Sequence, residues 1–148
     1  MKYTTHSFEE TIAIGEKIAS LLKGGDIVLL KGNLGAGKTT LVKGIAAGLG
    51  IKKDDITSPT FAIMNVYDMD EKMATAKRLI HIDTYRLKTE EELVEIGIEE
   101  YLGERHTICI IEWPEKIPEL LREKEALTIC CEVIKKEERT ITLQSTPY

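Results

Sequence analysis

At 148 residues and 43% hydrophobic, the chain is long enough for one ordinary domain with a real core and too short for a nucleotide domain plus a separate substrate domain. Its net charge is −5, with 20 basic residues scattered among 25 acidic ones, so it lacks the basic stripe that neutralises a nucleic-acid backbone; direct, tight binding of tRNA or DNA is disfavoured. No apolar run approaches the roughly 18 residues of a membrane span and no cationic segment precedes an apolar one at the N-terminus, which predicts a cytoplasmic chain with no membrane partner.

Ser7 followed by Glu10 forms a capping box, and Phe8, Thr11, Ile12, Gly15, Ile18, Ala19 and Leu22 then recur at helical spacing, predicting a first helix over 8–22 that Gly24 and Gly25 terminate. The apolar run of Ile27, Val28, Leu29 and Leu30 reads as a buried strand. It leads into Gly32-Asn33-Leu34-Gly35-Ala36-Gly37-Lys38-Thr39, a complete G-x-x-x-x-G-K-S/T phosphate-binding loop, followed by a helix with Leu41, Val42, Ile45, Ala46 and Leu49 on one face and Gly50 at its end. A strand entering and a helix leaving give the motif its meaning. The glycines permit positive φ and leave no Cβ in the way, so successive N–H groups point into an anion nest, and the helix aims its positive dipole end at the same anion. Lys38 reaches the β/γ-phosphates, and the Thr39 hydroxyl completes the coordination of Mg²⁺.

Further strands are predicted over 61–67, 78–83, 107–111, 127–134 and 140–143, with 68–77 as a hairpin connection and 135–138 as a turn. Thr89 with Glu92 makes a second capping box and opens a short helix over 90–96. Strands alternating with helices early, then a strand-rich remainder, predict an α/β fold: a single-domain P-loop NTPase whose central sheet is mostly parallel with antiparallel additions and is flanked by helices. Cys109, Cys130 and Cys131 lie in apolar strand-like runs without metal-site spacing, so they read as buried, reduced thiols.

Hydrolysis of a nucleoside triphosphate needs a carboxylate for the metal and a group to orient water. The apolar strand 107–111 runs into Glu112, which places an acid at the carboxyl edge of the sheet in a Walker B arrangement, with Glu in place of the commoner Asp. In His81-Ile82-Asp83-Thr84-Tyr85, polar groups occupy every second position, so His81, Asp83 and Tyr85 share one face of a strand. Asp83 is open to three roles: holding Mg²⁺ through water, orienting a nucleophile, or fixing Arg86 and His81. Ser58-Pro59-Thr60-Phe61 follows the phosphate-loop helix where a γ-phosphate-sensing switch segment belongs, with Thr60 supplying a hydroxyl. Trp113 is the single tryptophan, adjoins Glu112, and has its backbone restricted by Pro114.

Together, Ser7-x-x-Glu10-Thr11-x-x-Ile14-Gly15, the loop from Gly32 to Thr40, Ser58-Pro59-Thr60-Phe61, His81-x-Asp83-x-Tyr85-Arg86-Leu87, Glu91-Glu92-Leu93 to Gly97, and Glu112-Trp113-Pro114-Glu115 closely resemble the bacterial tRNA threonylcarbamoyladenosine biosynthesis ATPase family TsaE, also called YjeE. The resemblance covers roughly the first three quarters of the chain, and the strands after Ala126 match loosely. It implies a small Mg²⁺-dependent ATPase, slow alone, that assists the threonylcarbamoyl modification of adenosine 37 in ANN-decoding tRNAs by docking on TsaD and TsaB, touching tRNA only through that complex. It also implies Mg²⁺ held by Thr39 and Glu112, with Asp83 important for activity. The expected catalytic set is Lys38, Thr60, Asp83 and Glu112. The expected nucleotide contacts are Asn33, Leu34, Gly35, Ala36, Gly37, Lys38, Thr39 and Thr40, with Thr11 and Arg139.

A GTPase would need D-x-x-G and an [NT]-K-x-D-type guanine reader. No Asp here precedes a Gly at that spacing, and Ile51-Lys52-Lys53-Asp54 has Ile in the Asn position, so ATP should win or tie against GTP. A small P-loop kinase would close an arginine-bearing lid, yet Arg78, Arg86, Arg105, Arg122 and Arg139 are dispersed. The remaining alternative, a nucleotide-dependent binding or regulatory module, differs from an ATPase only in rate.

Overall fold

A computed structural model describes every residue except 60, 61, 71, 73–75 and 148, and the side chains of 146 and 147 are likewise left out. Thr60 and Phe61 of the expected switch segment therefore lie outside the described residues. The chain forms, in order, β1 (Lys2–Thr5), α1 (Phe8–Ala19), β2 (Ile27–Lys31), α2 (Lys38–Gly48), β3 (Met64–Asp68), β4 (Arg78–Asp83), α3 (Glu91–Glu95), β5 (Thr107–Glu112), α4 (Pro118–Leu121), β6 (Glu125–Val133) and β7 (Arg139–Pro147). Single 3₁₀ turns occur at Lys53–Asp55, Ile98–Glu100 and Pro114–Lys116.

The strands form one 7-stranded sheet in the order β1-β7-β6-β2-β5-β4-β3. Its centre, β6-β2-β5-β4, is parallel, while β1, β3 and β7 add antiparallel at the two sides. The parallel centre explains the sequence pattern, because strands covered on both faces read as continuous apolar runs. All of β5 is buried, Thr107 and Glu112 included. Alternate residues feed two cores. Val28, Leu30, Ile108, Ile110, Ile129 and Ile141 pack beneath α1 and α2, and Ile27, Leu29, Ile80, Ile82, Cys109 and Ile111 pack with Leu93, Ile98, Ile117 and Leu121 on the other face. Cys109 and Cys131 are buried and Cys130 is half-buried; burial pushes the thiols of Cys109 and Cys131 up to about 12, which leaves them inert.

Several elements depart from expectation. The first helix stops at Ala19, with residues 20–22 continuing as tighter turns through Leu21 N–H to Ile18 O and Leu22 N–H to Ala19 O. Phe8 is not on the apolar face: it is 63% exposed, while Thr11, Gly15, Ile18 and Ala19 are buried. The edge strand β1 and the short α4 went unforeseen, because each is too brief to show a period. Of the final strands, β6 starts two residues earlier than expected and ends one residue sooner, β7 is longer than expected at both ends, and the two pair as a continuous antiparallel ladder from Glu125–Pro147 to Val133–Arg139.

The helix pair α1 and α2 is built on glycine. A Cβ on Gly44 would stand 2.3 Å from the Ile12 carbonyl oxygen, and one on Gly15 would stand 2.6 Å from that of Leu41, so the two backbones touch. Ala is the better helix former by about 1 kcal/mol, yet Gly44→Ala should lower stability by about 1–3 kcal/mol, because neither backbone can yield without moving the phosphate-loop helix. Thermal denaturation checks this, and an unchanged or raised Tm would contradict so close a crossing.

Candidate nucleotide-binding site

The phosphate loop leaves the buried end of β2 at Gly32 (φ 152°), where a Cβ would come within 2.6 Å of the Cys131 carbonyl oxygen, so only glycine lets β6 lie this close. The loop ends at Gly37, which N-caps α2 in the left-handed region with no side chain satisfying the first-turn N–H groups. Those donors point out of the helix toward a cleft.

The cleft has a volume of about 380 Å³ and is lined by Phe8, Leu34, Gly35, Gly37, Lys38, Thr39, Thr40, Ser58, Asp83, Glu112, Trp113 and Arg139. It opens at the carboxyl ends of β2, β5 and β4, where α/β sheets bind ligands. Register brings the two acids together: Glu112 pairs with Leu30 on one side and with Asp83 on the other, so both carboxylates end adjacent parallel strands beside the loop.

Each of these groups is held by a specific neighbour. Buried His81 meets one Glu112 oxygen through Nε2 at 2.8 Å. Asp83 Oδ1 accepts the Tyr85 N–H at 2.9 Å, and burial pushes its carboxyl above the ordinary range, with the Tyr85 bond opposing and the nearby Glu112 adding to the rise. Lys38 donates to the Gly32 carbonyl at 2.7 Å and lies 3.9 Å from the centroid of the Trp113 ring. Burial lowers the Lys38 pKa, and Glu112 and Asp83, in that order, work against the fall. Thr84 donates from Oγ1 to the carbonyls of Glu112 and Trp113 and so ties the end of β4 to the end of β5.

Pro114 restricts the backbone of the residue before it and favours extended geometry there, yet Trp113 is in the left-handed region at φ 57° and ψ 51°. Its carbonyl accepts from Thr84 and from the Lys116 N–H, its indole carries the Lys38 ammonium, and Tyr85 lies 5.0 Å away between ring centroids. These contacts fix an otherwise disfavoured backbone at the edge of the cleft.

Of the expected residues, Leu34, Gly35, Gly37, Lys38, Thr39, Thr40, Asp83, Glu112 and Arg139 converge on the cleft. Asn33 and Ala36 lie on the outer side of the loop, in a second cavity shared with Lys31, Cys130 and Cys131. Thr11 is not brought in. It is 2% exposed, shares a hydrogen bond with Thr5 Oγ1 at 3.0 Å and donates to the Ser7 carbonyl at 3.1 Å, because it faces the α1–β1 contact rather than the loop. Phe8 and the direct His81–Glu112 bond were not foreseen as site features. The alternation in His81-x-Asp83 carried a trace of the latter, but not the strand register that places Glu112 beside it.

The family model described as "Threonylcarbamoyl adenosine biosynthesis protein TsaE" matches residues 5–141, which extends the resemblance across β6 and the start of β7 to Arg139 and beyond. The tRNA threonylcarbamoyladenosine biosynthesis protein TsaE of Bacillus subtilis is 40% identical over 142 residues, covering 96% of this chain and 84% of that protein. The protein of the same name from Treponema pallidum is 38% identical over 143 residues, covering 97% of this chain and 99% of that one. A crystal structure of Bacillus subtilis YdiB superposes with a TM-score of 0.75 at 35% identity, covering 100% of this chain and 86% of that chain. With a family model spanning nearly its whole length and relatives matched over almost all of it, this chain belongs to the TsaE family.

Proposed function

We propose that this chain binds ATP with Mg²⁺ in the cleft beside the phosphate loop and hydrolyses it, in the cytoplasm, as the ATPase subunit for threonylcarbamoyladenosine formation on tRNA, docked on TsaD and TsaB. The observation that carries the reading is the convergence of Lys38 and Thr39 with two buried carboxylates, Asp83 and Glu112, in one cleft. A bound phosphate draws Lys38 away from the neutral Gly32 carbonyl, since a charge-assisted hydrogen bond is about twice as strong. The uncapped N–H groups at the start of α2 take the remaining phosphate oxygens.

Hard oxygen ligands suit Mg²⁺, and the Thr39 hydroxyl and the Glu112 carboxylate are the ligands this chain offers, with phosphate and water completing the shell. The ion supplies neutralisation of the charge that develops on the transferred phosphoryl group. His81 engages one oxygen of Glu112 and so sets the direction of the other. Asp83, made more basic by burial, orients the attacking water and accepts its proton. Among the described residues Arg139 is the one arginine that lines the cleft, where a kinase-type lid would bring several. With an acidic chain, tRNA is reached through the partners.

The test is nucleotide-dependent assembly. The chain should co-elute with a TsaD–TsaB pair in ATP and Mg²⁺ more than in ADP, and ATP hydrolysis should rise when the pair is added. Trp113 provides a second readout within the same sample. Recruitment of Lys38 to phosphate uncovers the indole face, so fluorescence should change on adding ATP with Mg²⁺, and differently with ADP. Identical tryptophan signals and equal partner binding in both nucleotides would leave a passive nucleotide-binding subunit.

A further inference from the structure

Beyond the cleft, on the side of the β6–β7 turn, lies another cavity of about 430 Å³, lined by Ser7, Phe8, Glu9, Lys136, Glu137 and Arg139. The two residues it shares with the phosphate cleft are Phe8 and Arg139, so this pair stands where the two cavities meet. We propose that Phe8 is the stacking platform for the nucleotide's base, with Arg139 as the second element of a clamp that reads the flat face of a purine and not its hydrogen-bonding edge. The inference rests on the ATP reading of the cleft and identifies which residue receives the nucleoside.

Phe8 is built for exposure. It begins α1, whose entry is fixed by the Glu10 N–H bonding Ser7 Oγ at 3.1 Å, so the ring projects from a capped helix end into the opening. The ring stays largely exposed beside the loop, while Thr11, Gly15, Ile18 and Ala19 of α1 are buried. Arg139 comes from the opposite side: its Cδ and Nε stand 3.1 and 3.0 Å from where a Gly37 Cβ would be, so it crosses directly over the last glycine of the phosphate loop. Its guanidinium is 5.9 Å from the Phe8 ring centroid, in reach of cation–π attraction. The η nitrogen Nη1 donates to the Glu137 carbonyl at 3.3 Å, while the buried Nε has no hydrogen-bond partner among the described residues. A buried donor without a partner is costly, and this one stands beside the last glycine of the loop, which suits an acceptor on the incoming nucleotide. Arginine supplies only donors, and the ring supplies only a face, so adenine and guanine are accepted alike; stacking is tolerant of base identity.

The groove between α3 and α4 offers no rival for this role, since it lies away from the loop and its four carboxylates, Glu90, Glu91, Glu99 and Glu119, outnumber Arg122 and Lys124.

The test uses the full-length chain with Phe8→Ala and Phe8→Trp, measuring binding of ATP, GTP and inorganic tripolyphosphate, each with Mg²⁺. Phe8→Ala should weaken ATP and GTP together by about ten-fold or more, leave tripolyphosphate unchanged, and be rescued by Phe8→Trp. Equal ATP binding in wild type and Phe8→Ala overturns the platform while leaving the ATP reading standing. So does a loss of tripolyphosphate in step with ATP, which would make Phe8 a support of the loop, or a loss of one purine only, which would mean edge recognition. Wild-type protein that binds neither ATP nor tripolyphosphate overturns the function proposed above and this inference with it.

Discussion

Lys38→Ala and Thr39→Ala should each reduce ATP hydrolysis by at least about a hundred-fold, to background in a standard phosphate-release assay, while leaving the fold in place. The two act on different parts of one event. Lys38 presents a buried ammonium at the phosphate loop, already flanked by Glu112 and Asp83, so its loss removes the cation that offsets both carboxylates and the incoming phosphate. Thr39 contributes a neutral oxygen on the first turn of α2, and its loss removes a metal ligand without changing the charge. Lys38→Ala should therefore weaken nucleotide binding with or without Mg²⁺, whereas Thr39→Ala should weaken it only when Mg²⁺ is present and should be rescued by Thr39→Ser. Neither side chain fills a core between sheet and helix, so thermal denaturation should shift little. Hydrolysis at the wild-type rate in either variant would remove the phosphate loop from the site.

This loop was legible in the sequence because its chemistry is local: strand, glycines, Lys38, Thr39 and helix follow one another within one stretch of chain. The parallel centre was equally legible, since β2 and β5 are apolar without alternation. What could not be read is register and its consequences. That Glu112 is level with Asp83, and that His81 meets Glu112, depends on how β4 and β5 align, and no spacing within either strand encodes that. The misplacement of Phe8 and Thr11 has a related cause. Helical spacing puts both near one face, but only the position of β1 decides which side is covered, and β1 covers Thr11 through Thr5. The conformation of Trp113 is tertiary in the same way: the local preference imposed by Pro114 yields to contacts from Thr84, Lys116 and Lys38.

Glu112→Gln and Asp83→Asn separate the two carboxylates, and they should fail in different ways. Gln keeps the volume of Glu112 and an oxygen that His81 can still meet, so the end of β5 keeps its shape and nucleotide without Mg²⁺ should bind at least as well as in the wild type. The charge that holds the ion is gone, so hydrolysis should fall by on the order of a thousand-fold, and the gain in nucleotide affinity that Mg²⁺ normally confers should disappear. Asp83→Asn keeps the acceptor for the Tyr85 N–H but removes a carboxylate whose ionisation is opposed first by burial and then by the neighbouring Glu112. For an acid whose pKa is raised by folding, the charged form is disfavoured in the native state, and the penalty is present once pH exceeds the folded-state pKa. At neutral pH the Asn variant should therefore be as stable as the wild type or more so, and its Tm advantage should vanish as pH falls below the ordinary carboxylate range. Its hydrolysis should nonetheless drop while the Mg²⁺-dependent gain in nucleotide affinity persists, since a water-orienting group has been lost and the metal ligand has not. A silent Glu112→Gln beside an inactive Asp83→Asn that also loses the Mg²⁺ effect would exchange the two roles and place the metal on β4.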